Sequence, residues 1–282
     1  MKTGLVMEGG AMRGLFTAGV IDVLMENGIE FDGAVGVSAG AAFGCNYKSK
    51  QIGRVLRYNL DYCKDPRYCS FRSLVKTGDL FGAEFCYRVI PEKLDVFDYE
   101  QFNGNPMEFH VVCTDVHTGR AVYKAFRNTD EDLLEWIRAS ASMPMASRIV
   151  EVGGYQLLDG GISDSIPLKY FEAQGYDKNV VILTRPKAYV KGPNKLMPIM
   201  KKVLRKYPGL IDVMNRRHEE YNETVEYIKQ REEEGAAFVI RPERPLDIGK
   251  IEHDPDKIKG AYEAGRSEGM KTLEAVKQFL AQ

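Results

Sequence analysis

The amino-acid sequence predicts an α/β fold organised on parallel strands, and three observations carry that expectation. The first 40 residues read as strand, glycine-rich loop, helix, strand, tight turn and helix. Two strands in that order lie side by side and parallel, joined by a right-handed crossover. Asn179–Thr184 (Asn-Val-Val-Ile-Leu-Thr) reads as another buried strand deep in the chain. The size supports the rest: 282 residues with 44% hydrophobic content bury a substantial core in one large domain or two modest ones.

The elements follow in order. Gly4–Met7 is a short buried strand, and Glu8-Gly9-Gly10-Ala11-Met12-Arg13-Gly14 follows as a loop. A helix runs from about Leu15 to Glu26, with Leu15, Ala18, Val20, Ile21 and Leu24 near helical spacing, and Asn27-Gly28 stops it. Gly33–Val37 is the second strand. Ala41–Asn59 is helical with a polar break at Lys48-Ser49-Lys50, and Asp61–Gly82 is irregular cover. Ala83–Ile90 is a helix that Pro91 ends. Met107–Val116 is a central strand, and Arg120–Phe126 returns beside it as a hairpin. A helix spans Thr129–Ala139, capped by Thr129 with Asp130, Glu131 and Asp132 in its first turn. Arg148–Leu158 is a hairpin about Gly153-Gly154. Lys195–Lys206 is basic and apolar, suited either to a covering helix or to an anionic membrane surface. Ile211–Glu234 is a long charged helix, Ala236–Ile240 a last strand, and Asp254–Leu280 a closing helix.

Composition narrows the function. A net charge of -1 offers no global basic field for nucleic acid. Cys45, Cys63, Cys69, Cys86 and Cys113 are odd in number and lack paired metal-ligand spacing, so they read as thiols of a reducing compartment. No metal or cofactor is called for. The apolar part of the N-terminus is too short for a signal peptide, and no apolar stretch reaches membrane-span length. The expectation is a cytoplasmic protein that touches a membrane peripherally, at its inner face, if at all. Oligomeric state is not legible.

The chemistry centres on Gly36-Val37-Ser38-Ala39-Gly40, which fits the G-x-S-x-G nucleophile elbow. A serine on a sharp strand-to-helix turn crowds the residues two places before and after it. Glycine at both places removes the clash. The helix behind it turns free N–H groups and a positive partial charge toward a developing oxyanion. The glycine loop at residues 9–14 lies at the carboxyl end of the neighbouring strand, facing the serine. It reads as an oxyanion hole, as a phosphate cradle, or as a tight turn with no ligand. The dinucleotide pattern fails at Ala11, and no Walker lysine follows. Leu157-Leu158-Asp159-Gly160-Gly161 places an aspartate between a strand end and two glycines, as a site side chain or as an ordinary Asp-Gly turn.

A serine nucleophile needs a base. Ser38, Asp159 and His218 or His253 would satisfy the order of an α/β-hydrolase triad. Both histidines, however, lie in polar, charged surroundings that suggest solvated surface. What remains is a Ser–Asp dyad. Gly9-Gly10-Ala11-Met12-Arg13-Gly14, Gly36-Val37-Ser38-Ala39-Gly40, Ala139-Ser140-Ala141-Ser142-Met143-Pro144 and Asp159-Gly160-Gly161, in this order, resemble the patatin-like phospholipases. The resemblance covers about residues 1–186, with 187–282 similar to the C-terminal helical part of bacterial members, packed on the same domain. It implies a three-layer α/β/α fold with a mostly parallel central sheet. It implies Ser38 as nucleophile and Asp159 as general base, with an oxyanion hole in the loop of Gly9, Gly10, Ala11, Arg13 and Gly14. Gly36, Gly40, Gly160 and Gly161 would support the elbow and the dyad. The implied substrate is a lipid or other acyl ester and the implied product a free fatty acid. Two rivals stand beside this: a nucleotide- or anion-binding regulatory protein that uses the loop without hydrolysis, and a membrane-associated scaffold built on the basic segment.

Overall fold

The computed structural model describes residues 1–129 and 132–282. Eight strands form one sheet: β1 Lys2–Met7, β2 Gly33–Val37, β3 Glu108–Asp115, β4 Ala121–Phe126, β5 Val150–Val152, β6 Tyr155–Asp159, β7 Tyr176–Ile182 and β8 Ala237–Ile240. Their order is β5-β6-β3-β2-β1-β7-β8, with β4 on β3. The run β3-β2-β1-β7-β8 is parallel, and β4, β5 and β6 add antiparallel pairs. The helices are α1 Gly14–Glu26, α2 Ala39–Lys48, α3 Arg54–Tyr62, α4 Phe71–Thr77, α5 Tyr99–Gly104, α6 Leu133–Ser140, α7 Leu168–Ala173, α8 Met197–Val203, α9 Pro208–Glu233 and α10 Pro255–Ala281.

The central strands are buried on both faces, so their alternation sorts side chains between two apolar layers. Leu5 and Met7 of β1, Ala34 of β2, Phe109 and Val111 of β3, and Val180 and Ile182 of β7 pack with Phe16 and Val20 of α1, Trp136 of α6 and Leu273 of α10. The intervening Val6, Val35, Val37, Val112 and Val181 pack with Leu168 and Phe171 of α7 and Tyr221 and Ile228 of α9. The result is a three-layer α/β/α sandwich. The residues beyond 186 belong to its body: β8 extends the sheet on β7, and α10 crosses α1 in close contact. A Cβ on Gly19 would lie 2.1 Å from the Tyr262 carbonyl, and one on Gly265 would lie 2.0 Å from that of Phe16. Only glycine permits this crossing.

Several sequence expectations need correction. The helix expected to stop before Pro91 is a π-helix over Phe85–Leu94 that runs through it. The Asp95 N–H reaches the Ile90 carbonyl at 2.9 Å, and this wider turn gives the ring room that an α-turn denies. The helix expected from Thr129 begins at Leu133, behind Asp132 in a left-handed conformation (φ 56), while the Thr129 N–H is held by Asn103 Oδ1 at 2.9 Å. Asp130 and Glu131 lie outside the described residues. The stretch 61–82 contains α4, capped by the Ser70 hydroxyl on the Ser73 N–H. The break at Lys48 separates α2 from α3, yet Lys48 itself is buried and donates to the carbonyls of Asn105 and Met107.

Candidate active site

The site arises from how β3 shares one of its edges. One edge of β3 carries β4 along Phe109–Thr114. The other is divided: β2 pairs with Glu108–Val112, and β6 pairs with Cys113–Asp115. β2 leaves that edge at Val37, opposite Val112, and β6 ends at Asp159, opposite Cys113. The residue that leaves, Ser38, therefore meets the residue that arrives, Asp159. Ser38 Oγ donates to Asp159 Oδ2 at 2.6 Å, across 121 residues of chain.

Ser38 has φ 54 and ψ -120, a strained conformation for a residue with a side chain. The surroundings hold it there. A Cβ on Gly36 would lie 2.4 Å from the Gly40 carbonyl, and one on Gly40 would lie 2.4 Å from that of Met7. Where β2 departs, the Ser140 hydroxyl replaces the missing ladder contact. It accepts from the Ser38 N–H at 2.9 Å and donates to the Val112 carbonyl at 2.6 Å. The small run at 139–144 thus has a specific member.

Asp159 is 1% exposed. Its Oδ1 accepts from the Gly161 N–H at 2.7 Å, and its own carbonyl accepts from the Thr114 hydroxyl at 2.8 Å. Burial pushes its carboxyl above the ordinary aspartate value. The Ser38 hydroxyl, the charge of Arg217 and the Gly161 N–H pull the other way. A raised, dry carboxylate is a stronger base than a free one, which a hydroxyl-activating dyad requires.

The glycine loop follows β1. A Cβ on Gly9 would lie 3.2 Å from Ser38 Cβ, so the loop borders Ser38 directly. The Gly9 N–H donates to the Ser165 carbonyl at 3.4 Å. The Arg13 N–H donates to the Gly10 carbonyl, and that of Gly14 to Ala11, so these two stabilise the turn and do not offer free donors. Ala11 has φ 49, and the N–H groups of Gly10 and Ala11 have no acceptor among the described residues. Glu8 anchors the loop from below. It is buried, and accepts from the Thr184 N–H and hydroxyl and from the Tyr221 hydroxyl at 2.7 Å.

The histidines are elsewhere. His110 packs against Tyr170, Phe171 and Tyr176, and His117 bonds Gln156. His218 lies by Glu219, and His253 bonds the Cys63 carbonyl. Sequence reasoning missed Ser140 as a bridge, Glu8 as an anchor and Arg217, which donates to the Gly161 carbonyl. Ser140 was visible only as one small residue among several. Arg217 stood in a charged helix, where nothing separates a site cation from a solvated one.

Known proteins bear on this geometry. A family described as patatin-like phospholipase matches residues 5–172, and a domain of unknown function (DUF6363) matches residues 207–281. The chain is 26% identical to an uncharacterised protein, YjjU, of Escherichia coli over all of its own length and 80% of that protein. It is 28% identical to a lysophospholipase, nte1, of Aspergillus niger over 62% of this chain and 11% of the fungal protein. Its backbone is similar to VipD of Legionella pneumophila with a TM-score of 0.49 and 12% identity, covering 97% of this chain and 67% of that one, a likeness too loose to bear on activity. With the matched segment holding the loop, the elbow and the Asp-Gly-Gly turn, the chain belongs to the patatin-like phospholipase family, a family of lipid hydrolases.

Proposed function

We propose that the protein is a serine acyl hydrolase that cleaves carboxylic esters of lipids, in the manner of a phospholipase A or lysophospholipase. The observation that carries the reading is the 2.6 Å contact between Ser38 Oγ and the buried carboxylate of Asp159. Asp159 takes the Ser38 proton as Oγ attacks the ester carbonyl. The carbonyl oxygen becomes an oxyanion, received by the free N–H groups of Gly10 and Ala11. Each well-placed donor lowers the barrier by about 3 kcal/mol. Asp159 returns the proton to the departing alcohol, and the acyl group stays on Ser38. Water, deprotonated by Asp159, then attacks the acyl carbon; the fatty acid leaves, and Asp159 returns the proton to the departing Ser38 Oγ.

The outer face of α8 suits the approach to lipid. Leu196, Ile199 and Val203 are exposed there beside Lys201, Lys202, Arg205 and Lys206. Such a face rests on an anionic bilayer without crossing it. No helix among the described residues is long and apolar enough to span a membrane.

The test is labelling with a fluorophosphonate, beside turnover of a panel of lipid esters. The expected result is a covalent adduct on Ser38, and no turnover by Ser38→Ala. An unreactive Ser38 in a protein that binds nucleotides tightly would favour the regulatory alternative. For α8, Ile199→Glu with Val203→Glu is expected to reduce sedimentation with phosphatidylglycerol vesicles; unchanged sedimentation rejects that contact.

A further inference from the structure

The glycine loop is ringed by cations that have no carboxylate partner. Arg13 belongs to the loop, and its Nε is buried without a hydrogen-bond acceptor. Arg185 follows Thr184, the residue that bonds Glu8, and lies 4.4 Å over the Tyr189 ring. Lys191 Nζ sits 3.8 Å over the ring of Tyr221, whose hydroxyl also bonds Glu8. Arg217 is one helical turn before Tyr221 on α9 and binds the Gly161 carbonyl, two residues from Asp159. Among the described residues none of these four forms an ion pair. The nearby carboxylate, Glu8, is already occupied by Thr184 and Tyr221.

These cations come from separate segments: the loop after β1, the end of β7, the connection to α8, and α9. The fold therefore gathers them against their mutual repulsion. The strain is visible in their basicity. Lys191 falls to about 7, through burial first and then through Arg217, Arg13 and Arg185, with Glu8 opposing. Arg13 is lowered by burial and by Arg185. Lys250 nearby is lowered by partial desolvation and by Arg217, Arg13 and Arg185. Unpaired cations beside a site, one of them with a desolvated and unused donor, are relieved by an incoming anion. A phosphate monoester dianion matches this charge and offers several acceptor oxygens. A choline or ethanolamine headgroup carries its own cation into the same field and is repelled by it.

We propose that the preferred ester carries a phosphate monoester with no accompanying cation, as in an acylglycerol phosphate, and that Arg13, Arg185, Lys191 and Arg217 receive that phosphate while Ser38 attacks the acyl carbonyl. This rests on the hydrolase reading above. Hydrolysis breaks the bond between the acyl carbon and the glycerol oxygen. Water supplies the hydroxyl to the fatty acid and the proton to the alcohol, leaving glycerol phosphate.

The test compares kcat/KM for oleoyl lysophosphatidic acid, oleoyl lysophosphatidylcholine and monooleoylglycerol, each presented in the same neutral detergent micelles. The expected preference for the phosphate monoester is at least about tenfold over either other ester. Lys191→Gln and Arg185→Gln are each expected to reduce that preference several-fold through KM, and rising salt to erode it. Calorimetry on the Ser38→Ala protein provides a second readout, with glycerol 3-phosphate and inorganic phosphate as separate ligands. Binding of inorganic phosphate with no preference among the esters identifies a free-anion site and overturns the lipid assignment. Equal or better turnover of the choline ester, or a preference unchanged in both variants, overturns the inference and leaves the hydrolase standing. Inactivity toward all three esters, the neutral one included, overturns the hydrolase and the inference together.

Discussion

Replacing Asp159 by asparagine separates catalysis from stability at one atom. The amide occupies the same volume and keeps an oxygen for the Gly161 N–H, which bonds Oδ1 at 2.7 Å. It cannot take the Ser38 proton. A positioned general base contributes about 10²–10⁴ in rate, equal to roughly 3–5 kcal/mol of barrier, and that whole contribution is at risk. Stability moves the other way. Burial raises the carboxyl of Asp159, so between the ordinary aspartate value and the raised one the native protein holds a proton that the unfolded chain releases. Stability therefore declines as pH rises through that window, and at neutrality the charged carboxylate is a burden on the fold. Asp159→Asn removes that burden. The expected outcome at pH 7.5 is a loss of at least about 100-fold in kcat with Tm unchanged or higher. Steady-state hydrolysis of a soluble short-chain ester and differential scanning calorimetry read the two quantities. A variant within a few-fold of the parent rate, or one whose Tm falls by several degrees, would refute the reasoning.

Three further outcomes follow from the same geometry. Ser140→Ala strands the Ser38 N–H and the Val112 carbonyl, at about 1–3 kcal/mol for each buried group. Thermal denaturation is expected to show a drop of several degrees, and kcat to fall more than KM changes. Gly36→Ala drives a methyl to 2.4 Å from the Gly40 carbonyl, so chemical denaturation should show a loss of at least about 3 kcal/mol or no soluble protein at all. On the dyad proposed above, Asp159 works in its charged form, so kcat/KM is lost as pH falls through its raised value. The acid limb of the profile should lie above 3.8, measured across pH 4–8 with a neutral ester.

Much of the fold was legible because local signals agreed with burial. The Gly33–Val37 strand, the turn at Ser38 and the parallel pairing with β1 follow from small residues and an apolar run that no other element satisfies. The elements that shifted were those whose boundaries depend on distant partners. Thr129 is a reasonable cap, yet the helix starts only at Leu133, behind a left-handed Asp132. Pro91 is a reasonable stop until a π-helix widens around it. Lys48 reads as part of a polar break, yet two carbonyls near the start of β3 hold its ammonium in the interior, where burial lowers it to about 8.

By itself the sequence determined the nucleophile candidate, the glycines without which its turn cannot close, and the aspartate set between a strand end and two glycines. It determined these because steric demands at a sharp turn and at a close backbone approach are met by residue types alone. Only the tertiary structure decided that Ser38 and Asp159 touch. That contact depends on β2 leaving the β3 edge at Val112 and β6 taking it up at Cys113, a handover between strands far apart in the chain. The same holds for Arg185, Lys191 and Arg217 around the loop: their charges are written in the sequence, but their convergence without counter-ions exists only after the chain has folded.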